Sequence, residues 1–231
     1  MIRGIIFDLY HTLTGLESRW SQHPPTSAML GIERSRWEQA LHEHSRWRLC
    51  GDERDSQTIV RRLAHGIDPT ITPAVIERAT RYRVERYRHA LRAIPEENVD
   101  TLKQLRQAGY RLALISNADV TEAGAWSESP LMGLFDVEVF SCFVGHVKPE
   151  PEIYELCLRE LGLPARSCMF VGDGGSNELA GARAVGLKTV LMSGVAEELW
   201  PDAMPARRKQ ADQEIQSIPE ILALLEIGAS A

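Results

Sequence analysis

The sequence predicts an α/β protein, a parallel-sheet core interrupted after its first strand by an inserted α-helical domain. Three observations lead there. A short apolar strand pattern opens the chain at residues 2–9. Helical periodicity with no strand in it follows over residues 16–93. After Pro95, a unit of helix, glycine and strand occurs three times, the pattern of a parallel sheet with helices packed on its faces.

The first strand is marked by Ile5, Ile6 and Phe7, and it stops at a polar loop. Within the helical stretch, Trp37, Ala40, Leu41, His44 and Trp47 recur at spacings of three and four, which suits one face of a helix. Thr72 followed by Pro73 supplies an N-cap and a proline at the first helical position, opening a helix that runs to about Ala93. Trp20, Trp37 and Trp47 are read as core of the inserted domain rather than as a platform for substrate. The three later units are residues 96–108 with Gly109 and strand 111–116, residues 152–161 with Gly162 and strand 168–171, and residues 178–185 with Gly186 and strand 187–192. Each glycine is placed to take the left-handed conformation that ends a helix. A further strand is expected over residues 137–143, and the stretch between Ser116 and Val137 has no definite assignment. Ser217-Ile218-Pro219-Glu220 fits a capping box opening a last helix through Leu225. The expected division is therefore a core of residues 1–15 and 94–231 and an inserted domain of residues 16–93.

With 231 residues, 44% of them hydrophobic, the chain can bury a sizeable core. The opening apolar run is interrupted by Arg3 and Asp8, unlike a secretory signal, and no segment approaches the roughly 18 apolar residues of a membrane span. A cytoplasmic protein without a membrane partner is expected, as a monomer or homodimer by default. Cys50, Cys142, Cys157 and Cys168 have no C-x-x-C spacing, so reduced thiols are expected rather than structural zinc. From Glu33 to Arg92 there are 13 arginines, no lysine and nine acids, a net +4 that leaves −10 for the rest of a chain totalling −6. Alternating Arg and Glu explain most of that segment as solvated helix faces, with some arginines left to face an anionic substrate. Nucleic acid is a poor fit to an acidic protein without interleaved basic and aromatic residues.

In an open parallel sheet, ligands collect beyond the carboxyl ends of the strands. Asp8 follows the first strand there, Ser116-Asn117 the second, and Gly172-Asp173 the strand ending at Val171; Lys148 lies in a loop that can reach the same edge. This set suits phosphoryl transfer, whose charge must be offset by cations and N–H groups. Asp8 is the candidate nucleophile. Ser116 and the Asn117 backbone are placed to hold substrate oxygens, and Lys148 to offset the charge of both Asp8 and substrate. Asp8, Asp173 and Glu178 offer hard oxygen ligands for Mg²⁺; Glu178 also suits the first turn of a helix. Tyr154 is expected to pack with its hydroxyl free to face the site.

These residues resemble the haloacid dehalogenase-like hydrolases. Residues 7–13 (Phe-Asp-Leu-Tyr-His-Thr-Leu) are similar to that family's first motif, Ile115-Ser116-Asn117 to its second, Lys148-Pro149-Glu150-Pro151 to its third, and Gly172-Asp173 through Asn177-Glu178 to its fourth, in family order. The resemblance implies a Rossmann-like sheet with a helical cap between the first two motifs. It also implies Thr12 beside the nucleophile and the backbone carbonyl of Tyr10 as a further Mg²⁺ ligand. The family's phosphatases usually carry a second aspartate where this chain has Tyr10, an acid that serves the leaving group and is worth about 10²–10⁴-fold. Tyrosine there resembles the 2-haloacid dehalogenases, whose halide needs no proton, but Asp173 and Glu178 keep the acidic version of the fourth motif. The readings are thus a Mg²⁺-dependent phosphatase of a small phosphorylated metabolite, a metal-independent dehalogenase of a haloacid, or a catalytically weak binding protein. An imidazole beside the nucleophile, as at His11, suits acid–base work or substrate binding; a loop histidine turned elsewhere is the competing reading.

Overall fold

The computed structural model describes residues 1–16, 23–43 and 45–227; Trp20 and His44 lie outside them. Six strands form one sheet, β1 (Gly4–Phe7), β2 (Arg111–Ser116), β3 (Val137–Phe140), β4 (Cys168–Gly172), β5 (Lys188–Met192) and β6 (Gln213–Ile215), in the order β3-β2-β1-β4-β5-β6. Every pairing is parallel. The order reverses direction at β1, which has β2 on one side and β4 on the other, so the crevice for a ligand is set beyond the ends of these three strands. The predicted α/β class and its parallel sheet are what the chain adopts.

Successive strand residues point to opposite faces, and the two faces carry separate halves of the core. Ile5, Phe7, Leu112, Leu114 and Val171 face Leu102 and Leu105 of helix α6 (Glu96–Gln107) and Ile221 of the last helix, α13 (Glu220–Leu224). Ile6, Ala113, Ile115 and Phe170 face Ile153, Tyr154 and Leu161 of α9 (Pro151–Leu161) and Leu179 of α10 (Glu178–Ala184). Both faces being covered, the strands read as continuous apolar runs. Each large side chain so buried contributes about 1.5–3 kcal/mol.

Between β1 and α6 the chain forms α1 (Thr26–Leu30), α2 (Arg34–Glu43), α3 (Ser45–Leu49), α4 (Ser56–Ile67) and α5 (Pro73–Arg92). Leu30, Trp37, Ile59, Val60, Leu63 and Ile76 pack there as a core of their own. α5 starts at Pro73 with Thr72 as N-cap, as the sequence predicts. The expected single face from Trp37 to Trp47 is instead split between α2 and α3, and Trp47 is partly buried under the guanidinium of Arg62. Among the described residues no helix is long and apolar enough to cross a membrane.

Other differences are local. The strand expected over 137–143 ends at Phe140, and Ser141–Val144 turns into a short helix, α8. The unassigned stretch after Ser116 holds α7 (Val120–Ala123) and a 3₁₀ turn at Trp126–Glu128. The capping box expected at Ser217–Glu220 is not made: the last helix starts at Glu220 after Pro219 with no side-chain cap, and the Glu220 carboxylate instead accepts from the Gln216 N–H and the Ser217 hydroxyl, both at 3.0 Å. The reciprocal box lies elsewhere, at α7, where Asp119 accepts from the N–H groups of Thr121 and Glu122 while the Glu122 side chain accepts from the Asp119 N–H.

That box is also where the insertion meets the core. Arg48 of α3 donates to Asp119 at 2.9 Å, and Arg83 of α5 donates to Glu122 at 2.7 Å, all four residues being buried. Burial opposes the charge on Asp119, yet Arg83 and Arg48 hold its carboxyl below the ordinary carboxylate range; burial and the nearby Asp119 push Glu122 upward. A buried pair broken on one side leaves an uncompensated charge, which costs about 3–5 kcal/mol. Arg83→Leu is therefore expected to lower the stability measured by urea unfolding by about that amount. A change within about 0.5 kcal/mol, the scale of an ordinary surface substitution, would contradict the assignment.

Candidate active site

The sheet register sets the site. Phe7 pairs with Leu114 and with Val171, and the Asp8 N–H donates to the Val171 carbonyl at 2.9 Å. Asp8 therefore stands beside Gly172 at the carboxyl edge, with Ser116 at the end of the neighbouring strand. Asp8 is 6% exposed. Its Oδ2 accepts from the Thr12 hydroxyl at 2.9 Å, and its Oδ1 accepts from Lys148 Nζ at 2.5 Å.

Lys148 reaches Asp8 because Asn117 holds its backbone from both sides. Asn117 Nδ2 donates to the Lys148 carbonyl at 2.9 Å, and the Lys148 N–H donates to Asn117 Oδ1 at 2.8 Å. The Asn117 side chain is thus spent on the lysine loop. Lys148 Nζ donates a second bond to Glu178 Oε2 at 2.6 Å, while Glu178 Oε1 accepts from the Gly174 N–H at 3.0 Å. This packing needs glycine at 172, since a Cβ there would lie 2.2 Å from Glu178 Oε1. Tyr154 packs at 0% exposure as expected, but its hydroxyl is not free: it donates to the Glu178 carbonyl at 2.8 Å.

Asp8, Asp173 and Glu178 each offer a carboxylate oxygen, all within 4.8 Å of one another. Burial raises the Asp8 pKa above the ordinary carboxylate value, with Asp173 adding to the rise and Lys148 opposing it. Glu178 is raised further, by burial and by Asp8 and Asp173. Burial works against the charge on Lys148, but Asp8 and Glu178 keep it protonated and raise its pKa. Arg207 of α12 (Met204–Lys209) donates to Asp173 Oδ2 at 2.9 Å. Three acids thus face two cations, Lys148 and Arg207, at one edge of the sheet. Ser116 Oγ is buried and has no hydrogen-bond partner among the described residues.

Tyr10 does not present its hydroxyl to Asp8. The residue is only partly buried, but its OH lies deep and donates to the Glu122 carbonyl at 2.6 Å, and its ring meets Tyr87 edge-on at 5.4 Å. Burial and the charge of Glu122 hold the phenol well above its ordinary pKa. His11 adopts a left-handed backbone with φ 62°, its N–H donating to Thr14 Oγ1, and its ring meets the Trp200 ring edge-on at 4.9 Å.

A cavity of about 300 Å³ opens on these groups. Its lining brings together the predicted Asp8, Tyr10, His11, Asn117, Lys148, Asp173 and Glu178, whereas Thr12 and Ser116, each 1% exposed, are not part of it. Arg48, Leu49 and Tyr87 of the insertion, Glu122, and Trp200 and Arg207 near the C-terminus also line it, and sequence reasoning singled out none of these. Arg48 is one arginine among 13 in its segment, and Trp200 and Arg207 belong to no spacing pattern.

A family model described as haloacid dehalogenase-like hydrolase matches residues 2–186, a span that includes Asp8, Ser116, Lys148, Asp173 and Glu178 and ends before Trp200. Protein CbbY of Cereibacter sphaeroides is 29% identical over 205 residues, covering 84% of this chain and 85% of that protein. The glyceraldehyde 3-phosphate phosphatase of Methanopyrus kandleri is 24% identical over 202 residues, covering 82% and 83%. In fold, the L-2-haloacid dehalogenase of Xanthobacter autotrophicus with chloropropionic acid covalently bound aligns at a TM-score of 0.67 and 18% identity, over 98% of this chain and 99% of that one.

The direction of the Tyr10 hydroxyl is testable by removing it. Tyr10→Phe is expected to lose about 1 kcal/mol in urea unfolding, the net worth of one hydrogen bond, with turnover essentially kept. A fall in turnover of about 10²-fold or more, the scale of a lost general acid, would show that the hydroxyl serves the chemistry.

Proposed function

Because this chain belongs to the haloacid dehalogenase-like hydrolases, we propose that it is a Mg²⁺-dependent phosphatase of a small anionic metabolite, working through an aspartyl-phosphate on Asp8. One observation carries this reading: Asp173 and Glu178 are kept beside Asp8, buried, with their oxygens within 4.8 Å. Three carboxylates gathered in low dielectric repel one another unless cations accompany them. The donor set is all hard oxygen, which fits Mg²⁺. Asp8 and Asp173 would hold the ion, with Glu178 nearby and the Tyr10 backbone carbonyl as the ligand implied by family resemblance. Bound there, Mg²⁺ supplies positive charge to the transferring phosphoryl group.

The chain's own groups do the rest. Asp8 attacks phosphorus, forming an O–P bond as the bond to the leaving oxygen breaks and that oxygen takes a proton from solvent; water then attacks phosphorus, giving up a proton to solvent as the Asp8 O–P bond breaks, which releases phosphate and restores Asp8. Lys148 orients the Asp8 carboxylate and offsets charge that grows on the phosphoryl oxygens, and Thr12 fixes the second carboxylate oxygen. Ser116, buried at the end of β2 just behind the cavity lining, is the further oxygen-binding group that the resemblance of the second motif implies. Taking residues 16–93 as the cap and residues 1–15 with 94–231 as the core, Arg48, Leu49 and Tyr87 form the cap side of the cavity and select the substrate. His11 lines the same space as a contact to substrate.

The placement of Tyr10 favours a second reading. With its hydroxyl committed to Glu122, no acid stands two positions after the nucleophile, which suits a departing halide. In that case Asp8 displaces halide from a 2-haloacid and forms an ester that water opens.

Phosphate release from a panel of phosphorylated metabolites and aryl phosphates, with Mg²⁺ and with EDTA, separates the readings. The expected result is Mg²⁺-dependent phosphate release, fastest for good leaving groups and lost by about 10³-fold or more in Asp8→Asn. Halide release from 2-chloropropionate without metal would replace this reading with the dehalogenase. Tight ligand binding with no turnover would replace both with a binding protein.

A further inference from the structure

Arg207 lies beyond the four motifs and beyond the span of the family model, yet it touches the centre of the site. Its Nη1 donates to Asp173 twice, to the backbone carbonyl at 2.7 Å and to Oδ2 at 2.9 Å. Three supports fix the guanidinium there. Its stem lies against Gly174, which has φ +83° and where a Cβ would stand 3.1 Å from Arg207 Cγ. Its Cζ sits 4.7 Å from the centroid of the Trp200 ring. Trp200 is braced in turn by the His11 ring next to the nucleophile loop. Arg207 is therefore held in place, and its side chain is 12% exposed against 9% for that of Asp173.

A guanidinium is charged at every relevant pH and cannot withdraw by losing a proton. A divalent ion coordinated by Asp173 must then share that carboxylate with a fixed positive charge, at low solvent exposure where screening is weak. We propose that Arg207 is a built-in competitor for the cation at Asp173, so that the C-terminal segment carrying Trp200 and Arg207 sets how tightly the site binds metal. This rests on the Mg²⁺ reading of the acidic cluster. Its consequence is a site that binds metal weakly alone and more tightly once an anionic substrate has brought negative charge into the cavity, the substrate and Arg207 then forming a pair of their own.

The test is binding of Mn²⁺, a hard cation of the same oxygen preference, counted by loss of the free-ion electron paramagnetic resonance signal in wild type, Arg207→Gln, Arg207→Met, Arg207→Lys and Asp173→Asn. Thermal melts verify that each variant is folded. Both uncharged replacements are expected to bind Mn²⁺ more tightly, on the order of ten-fold, with the lysine variant close to wild type. Equal or weaker binding in both Gln and Met variants overturns the proposal, because Arg207 would then only position Asp173. Binding in wild type that survives unchanged in Asp173→Asn, or no binding in any protein, overturns the metal reading beneath it as well.

Discussion

The structure turns on one electrostatic constraint: Asp8, at the end of a central strand, is buried beside two more carboxylates and is held by a single lysine. Lys148 Nζ bonds Asp8 at 2.5 Å and Glu178 at 2.6 Å. Much of the surrounding architecture serves that lysine. Asn117 grips its backbone on both sides, and Gly172 leaves room for the Glu178 carboxylate. Glycine at 181 lets α10 approach the loop that carries Lys148, where a Cβ would lie 2.7 Å from the Pro149 carbonyl. Removing the ammonium would leave carboxylates facing one another in low dielectric, the costly arrangement for buried charge.

A second set of buried charges ties the insertion to the core one step away from the site. Asp119 and Glu122 cap α7, which follows the Ser116-Asn117 turn, and Arg48 and Arg83 come down on them from the insertion. Tyr10 connects the two sets: its backbone lies two residues after Asp8 while its hydroxyl donates to the Glu122 carbonyl. In the proposed chemistry this explains how a tyrosine occupies the place of an acid without acting as one. Its hydroxyl joins the loop after Asp8 to the seam between insertion and core.

What the sequence made legible was what local patterns encode. Bunched apolar residues running into a polar loop located β1, β2 and β4, and the glycines at 109, 162 and 186 all take the positive φ expected after a helix. Four motifs in order brought Asp8, Lys148, Asp173 and Glu178 to one edge. β6 was invisible because it has three residues, of which only Ile215 is buried, so it carries no periodicity. The split between α2 and α3 escaped because the spacing of Trp37 and Trp47 is the same for one helix or two. Contacts across long sequence separation escaped for a further reason. The bond from Tyr10 to Glu122 spans 112 positions and that from Arg207 to Asp173 spans 34, and neither partner carries a local mark of the other.

The most direct measurement of the central proposal is acid-quenched mass spectrometry of peptides taken during turnover of an aryl phosphate. Asp8 is expected to carry a phosphoryl group that disappears when substrate is exhausted and never forms in Lys148→Met, where the carboxylate is no longer oriented. Turnover with an unmodified Asp8 peptide, or a phosphoryl group found on another residue, would contradict it.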